Sequence, residues 1–132
     1  MSVSAQLVTC EIDGEGVALL RLNRPEKANC FNLAMIGACA DAIEALSADD
    51  AVKVIVLTGS GRVFCAGGDI DELEEVVQAG STRAKSYLRD HIHRIPLALD
   101  RCDKPVIAAV NGAARGAGMD LALMCDLRVA AA

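Results

Sequence analysis

The stretch Ile107 to Leu127 constrains this chain more than any other: Ile-Ala-Ala-Val-Asn-Gly-Ala-Ala-Arg-Gly-Ala-Gly-Met-Asp-Leu-Ala-Leu-Met-Cys-Asp-Leu. An apolar run, Pro105 to Val110, ends in Asn111-Gly112. The small residues Gly116-Ala117-Gly118 come next, and then a helix-period run that carries Asp120 in its first turn. The first N–H groups of a helix have no intrahelical acceptor and sit at the positive end of the helix dipole, so such a start is suited to holding an oxyanion. Donors aimed in advance at developing negative charge are often the largest single contribution to catalysis. The order strand, turn, small residues, helix therefore proposes a class of reaction as well as a local fold.

The remaining composition narrows the possibilities. At 132 residues the chain is long enough for one domain with a modest core. Apolar residues make up 53%, yet 23 positions are Ala and only one Tyr and two Phe occur, so the core is expected to be small-residue and aliphatic, with close-set elements. The net charge of −5 and the lack of a Lys/Arg cluster argue against nucleic acid and anionic membrane surfaces as partners. Six cysteines (Cys10, Cys30, Cys39, Cys65, Cys102, Cys125) are scattered without a C-x-x-C pair, and mostly in apolar runs. They read as reduced, buried thiols of a cytoplasmic protein. With two histidines only, His91 and His93, no metal site is expected. The first twenty residues lack a signal-peptide pattern, and no apolar run reaches spanning length.

Along the chain, Leu7–Glu11 and Val17–Leu22 read as strands of a hairpin around Asp13-Gly14. A polar loop occupies residues 23–27, and then Asn32 caps an amphipathic helix over Leu33–Ser47, ended by Asp49-Asp50. Val52–Thr58 and Pro105–Val110 have the dense apolar character of strands buried on both faces. Val63–Asp69 reads as a short strand entering a glycine loop, and Ile70–Ala79 as an acidic helix. Thr82–Arg101 reads as a helix kinked or interrupted at Pro96. A helix over Gly118–Met124 and a strand over Asp126–Ala130 close the chain, where a buried terminal strand would leave an open edge. Strands alternating with helices predict an α/β domain with parallel pairing.

The glycine loops do not make a phosphate cradle. No Lys-Ser/Thr comes after Gly59-Ser60-Gly61, and the spacing of Gly112, Gly116 and Gly118 is not the dinucleotide fingerprint. Two glycine loops that each succeed a strand can instead present one unhindered N–H apiece, here from Gly68 and Ala117, to a single oxygen. That arrangement polarises an acyl carbonyl and stabilises an enolate.

Three segments carry a resemblance. Phe64-Cys65-Ala66-Gly67-Gly68-Asp69-Ile70 resembles the first oxyanion loop of the enoyl-CoA hydratase/isomerase (crotonase) family, and Ile107–Leu127 resembles that family's long signature. Leu22-Asn23-Arg24-Pro25-Glu26-Lys27-Ala28-Asn29 resembles its N-terminal, CoA-contacting loop. The resemblance implies a crotonase-like α/β fold of repeated ββα units (the ClpP/crotonase type), with residues 1–132 as its N-terminal part. It implies enoyl-CoA hydratase chemistry, the reversible addition of water to a 2-enoyl-CoA. Gly68 and Ala117 would hold the thioester oxygen, and Asp120 would stand as the first catalytic carboxylate. Lys27, Ala28, Ala66, Gly67, Asp69, Ile70 and Gly116 would contact substrate, with Lys27 or Arg24 meeting the CoA phosphates. The CoA thioester is then the substrate, and no metal or redox cofactor is expected.

The chain also departs from the family pattern. Family hydratases carry Glu where this chain has Asp120, and the shorter side chain is similar to the dienoyl-CoA isomerase branch. Their second carboxylate lies farther along than Ala132, as do the C-terminal helices that cover the substrate and build homotrimers or hexamers. Arg115 is bulkier than the pattern suggests. Hydration therefore has two rivals: isomerisation of an enoyl- or dienoyl-CoA double bond, and a truncated, non-catalytic domain that binds acyl-CoA or a longer homologue.

Overall fold

Asp13 closes the first turn, its Oδ1 accepting the N–H groups of Glu15 and Val17, both at 2.9 Å. In the computed structural model, which describes residues 6–132, this turn joins strands β1 (Val8–Ile12) and β2 (Val17–Leu22) as an antiparallel hairpin with Val8 opposite Leu22. A 3₁₀ turn (Pro25–Lys27) leads into helix α1 (Leu33–Ala48), where Asn32 caps by accepting the Met35 N–H at 2.8 Å. The far end of α1 is capped by Lys104, whose Nζ donates to the carbonyls of Leu46 and Asp49.

Two ββα units come after α1. Strand β3 (Val54–Gly59) is succeeded by the short β4 (Val63–Cys65) and by helix α2 (Ile70–Gln78). After helices α3 (Ser81–Tyr87) and α4 (Arg94–Asp100), strand β5 (Val106–Val110) leads to the two-residue β6 (Ala113–Ala114) and helix α5 (Ala117–Met124), and β7 (Leu127–Ala130) comes last. The long strands form one sheet in the order β1-β2-β3-β5-β7, parallel beyond the hairpin, while β4 and β6 form a separate parallel pair. Each unit thus sends its chain from the large sheet into the small one and then into a helix. The loops after β4 and β6 consequently end up side by side.

The core lies between α1 and one face of the large sheet. Met35, Ile36, Cys39, Ala40, Ile43 and Leu46 of α1 join Leu20, Leu22, Ile55, Leu57 and Ala108 in one cluster. The predicted burial of β3 and β5 on both faces is not observed. Burial alternates along β3, with Ile55, Leu57 and Gly59 inside and Val54, Val56 and Thr58 half-buried. Their β-branched density therefore reflects strand propensity as much as enclosure. All four residues of β7 are exposed, Leu127 at 60% and Val129 at 64%.

The interruption predicted at Pro96 falls upstream of it. A π-helical turn spans Leu88–Ile92, and Pro96 sits in the first turn of α4. Proline has no N–H to give to the carbonyl four residues back, that of Ile92, and its ring crowds that carbonyl. The regular ladder therefore breaks before the proline.

Of the cysteines expected to be buried, only three are. Cys39, Cys65 and Cys125 are enclosed, whereas Cys30 and Cys102 are half-buried and Cys10 is exposed. Burial pushes the Cys39 thiol up to about 12 and those of Cys65 and Cys125 to about 11. Thiolate is the reactive form. Partial burial raises the Cys10 thiol as well, but its exposure leaves it accessible. Labelling the folded protein with a thiol reagent at pH 8 should therefore modify Cys10 ahead of these three, which react only after denaturant is added, as read by peptide mass spectrometry.

Candidate active site at the two glycine loops

The β4–β6 pair brings the predicted loops together. Val63 pairs with Ala113 and Cys65 with Ala114, and the Arg115 N–H donates to the Cys65 carbonyl at 3.0 Å. Two glycines permit the contact. Gly67 has φ +102°, and a Cβ there would stand 2.9 Å from the Arg115 carbonyl oxygen and 3.5 Å from the Ala117 nitrogen. A Cβ on Gly118 would collide with the Cys65 carbonyl. It is the backbone of Arg115 that the site uses; its exposed side chain has no hydrogen-bond partner among the described residues, and nothing in the structure explains its bulk.

Gly68 forms a parallel bridge with Phe31. The Phe31 N–H donates to Gly67 O, and the Asp69 N–H to Phe31 O, both at 2.8 Å. That alternation turns the N–H of Gly68 itself away from Phe31, and it finds no acceptor among the described residues. Ala117 opens α5 after Gly116 (φ +53°), and its N–H is likewise unengaged. The loops thus offer two free backbone donors.

Beside them lies a cavity of about 460 Å³. Phe31, Ile36, Ile95 and Leu121 supply apolar wall, and Ala117 and Asp120 of α5 reach it together with His93. The Asp120 carboxylate has no hydrogen-bond or ion-pair partner among the described residues. Gly68 and Gly67 stand in the adjoining loop, where the Ala66 N–H donates to Ala28 O at 3.0 Å and so ties the predicted CoA loop to the predicted oxyanion loop.

Other predicted substrate contacts are placed differently. Arg24 is committed to the fold: its Nη1 lies 3.0 Å from Asp69 Oδ2 and 3.2 Å from Cys30 O, with its side chain only 14% exposed. Asp69 in turn caps α2, its Oδ1 accepting the N–H groups of Asp71 and Glu72. Lys27 is exposed on the 3₁₀ turn, free to meet an anion, and Ile70 is exposed on α2.

The hydrogen bond from Arg24, reinforced by the Glu72 N–H, holds the Asp69 carboxyl below the usual carboxylate range. A depressed folded-state value means that this stabilisation is complete above the ordinary carboxylate pKa of about 4 and is lost as pH falls through the folded value. Unfolding free energy measured by denaturant titration from pH 6 down to pH 3 should fall more steeply for the wild type than for Asp69→Asn.

Two residues that the sequence does not single out are built into the site. Asn29 is fully buried at φ +55°, with its Nδ2 donating to the carbonyls of Ser60 (3.0 Å), Val63 (2.9 Å) and Phe64 (3.2 Å). Its Oδ1 accepts the Arg24 N–H at 2.8 Å, and its carbonyl accepts from the Cys65 thiol. Glu72 anchors α2 by accepting the Leu33 N–H with both oxygens and the Tyr87 hydroxyl at 3.1 Å. An asparagine near a polar loop, and an acid in an acidic helix, give no sequence signal beyond local ones.

Comparison with known proteins identifies the family. Residues 13–132 match the family model described as enoyl-CoA hydratase/isomerase. The chain belongs to the enoyl-CoA hydratase/isomerase family. It is 36% identical over 129 residues to a probable peroxisomal enoyl-CoA hydratase of Arabidopsis thaliana, covering 98% of this chain and 46% of that protein. It is 35% identical to a trans-2-decenoyl-[acyl-carrier-protein] isomerase of Streptococcus mutans, covering 87% of this chain and 44% of that one. A solved structure described as a putative enoyl-CoA hydratase/isomerase from Mycobacterium abscessus superposes with a TM-score of 0.87 at 36% identity, covering 93% of this chain and 47% of that chain. The crotonase-like fold expected of the family is therefore the fold observed. The chain spans less than half the length of these relatives. No helix among the described residues is long and apolar enough to cross a membrane.

Proposed function

We propose that this chain carries the thioester-binding half of an enoyl-CoA hydratase site, acting in the reversible addition of water to a 2-enoyl-CoA. The observation that carries the reading is the pair of unengaged N–H groups of Gly68 and Ala117, on adjoining loops beside a cavity that Asp120 enters. In this reading the two donors hold the thioester oxygen, which gains negative charge as C2=C3 is attacked. The Asp120 carboxylate, unpaired and one turn into α5, accepts or returns a proton. The apolar wall around Phe31 and Leu121 takes the acyl chain, and Lys27 faces the anionic CoA moiety from the exposed 3₁₀ turn. Family members act on acyl-CoA substrates, and the steps proposed here call on no metal or redox cofactor. Cytoplasmic location and a homotrimer or hexamer belong to the same proposal.

Isomerisation is the second reading, and one observation favours it. Asp120 is the only carboxylate on the cavity wall among the described residues, and a single base can lift a proton from one carbon and return it to another. Incubating the protein, as expressed from its own gene, with a 2-enoyl-CoA and separately with a 3-enoyl-CoA distinguishes the two. Formation of 3-hydroxyacyl-CoA from the first supports hydration. Conversion of the second to a 2-enoyl-CoA without water uptake supports isomerisation, and no turnover of either contradicts both.

A further inference from the structure

Helix α2 carries no buried residue, and Ile70 and Val77 on it are exposed. Packing of an apolar face, the usual source of helix stability in a protein, therefore does little to fix where α2 lies. Yet α2 begins at Ile70, two residues after the Gly68 donor, so its placement decides where that N–H points. The helix also touches the donor directly. A Cβ on Gly68 would stand 2.7 Å from Leu73 Cδ1, so the Leu73 side chain rests on the Gly68 backbone. Polar contacts must hold α2 in place.

Asp69-Ile70-Asp71-Glu72 has the spacing of a capping box, in which the third helical side chain turns back to the N–H of the capping residue. Asp69 makes its half of the box, with Oδ1 accepting the Glu72 N–H at 3.3 Å. Glu72 does not make the other half, because the Asp69 N–H already donates to the Phe31 carbonyl at 2.8 Å. Its carboxylate reaches across to α1 instead. Oε1 and Oε2 accept the Leu33 N–H at 3.1 and 2.9 Å, and Oε2 also accepts the Tyr87 hydroxyl at 3.1 Å. Burial, and then the neighbouring Glu72, push that hydroxyl up to about 12, so it remains a donor at neutral pH. Leu33 opens α1, the helix packed on the core sheet, and the positive end of its dipole favours the carboxylate. The clasp stands two residues beyond the bridge between Phe31 and Gly68.

We infer that Glu72 is a positioning residue for the Gly68 donor: by tying α2 to the first N–H of α1 and to Tyr87, it sets where the Gly68 N–H points. The assignment rests on the hydratase reading above. Glu72 carries no proton in it, since both its oxygens are engaged by protein donors. The role calls for reach and for acceptor oxygens, and not for a group that titrates.

Reach and charge can be varied separately. Glu72→Asp keeps the charge and draws the carboxylate back by one methylene, away from Leu33. Glu72→Gln keeps the reach, with Oε1 accepting the Leu33 N–H and Nε2 donating to the Tyr87 oxygen. Both are small changes on a half-buried side chain and should preserve the native circular dichroism. The probe is a 2-enoyl-CoA labelled with ¹³C at C1, bound to the protein as expressed from its own gene. In Glu72→Asp its resonance should return about halfway to the free position, because one of two donors loses its aim. Hydration should lose about 10- to 100-fold in kcat, with KM within about threefold of wild type. Glu72→Gln should keep both the native resonance and the native kcat. Asp13→Ala, which loses two hydrogen bonds in the β1–β2 turn, serves as a destabilised control and should lower only the melting temperature. A native resonance and an unchanged kcat in Glu72→Asp overturn the assignment and leave the hydratase reading standing. A loss of kcat in Glu72→Gln at the native resonance does the same, since the carboxylate would then be moving a proton. An equal fall in the Asp13→Ala control also overturns it, by reducing the effect to stability. A wild-type complex that resonates at the free position overturns the reading on which the assignment rests.

Discussion

Asp120→Asn should lower kcat for hydration of a 2-enoyl-CoA by about 100- to 10,000-fold, the usual contribution of a positioned acid or base, with KM nearly unchanged. The amide keeps the size and polarity of the carboxylate but cannot take a proton from water. Binding should survive because the Gly68 and Ala117 donors and the apolar wall do not depend on Asp120, whose carboxylate makes no hydrogen bond or ion pair among the described residues. Its place in the first turn of α5 gives the alternative explanation for an acid here, which is complementing the helix dipole, worth about 0.3–1 kcal/mol. The two explanations predict different losses. A purely structural Asp120 would cost a degree or two of melting temperature and leave kcat within a few-fold. Steady-state kinetics and a thermal melt on the same preparation tell them apart.

Asn29→Ala should lower the unfolding free energy by about 3 kcal/mol or more, the largest effect expected from any single polar residue here. The change strands the carbonyls of Ser60, Val63 and Phe64 and the N–H of Arg24 without their partners. Each buried polar group left unpaired costs about 1–3 kcal/mol, and water entering the space offsets part of the sum. Alanine also takes poorly to φ +55°, a backbone region that asparagine visits more readily. Urea titration with an unchanged m-value measures the loss directly. A loss under about 1 kcal/mol would contradict the role assigned to this side chain. Because Asn29 joins the loop proposed to meet CoA to the turn before β4, a weakened variant that still folds should also bind acyl-CoA less tightly.

These two residues mark the boundary of what the sequence makes legible. Asp120 stands out because its context is local: small residues, a helix start and a first-turn acid lie within a few positions of each other. The hairpin at Asp13-Gly14, the cap at Asn32 and the helix from Leu33 are legible for the same reason. Asn29 depends on partners more than thirty residues away, at Ser60, Val63 and Phe64, and only tertiary pairing reveals it. The two-residue strand β6 is too short to show a period, yet it places Ala117 beside Gly67. The family resemblance implies Lys27 or Arg24 for the CoA phosphates, and the fold pairs Arg24 with Asp69 while leaving Lys27 exposed. Pro96 foretells a break, and the lost hydrogen bond at Ile92 explains why the break lies upstream of the proline. His93 reads only as one of too few histidines for a metal, and the fold sets it on the cavity wall just after the π-helical turn.

The central claim is that the Gly68 and Ala117 N–H groups grip a thioester oxygen. It is tested most directly by the ¹³C resonance of a 2-enoyl-CoA labelled at C1, recorded free and bound to the protein. Two hydrogen bonds to that oxygen draw electron density from the carbonyl, so the bound resonance should move downfield by several ppm, with a matching red shift of the enoyl chromophore. A bound resonance at the position of the free thioester would contradict the account, since the ligand would then occupy the cavity without engaging either donor.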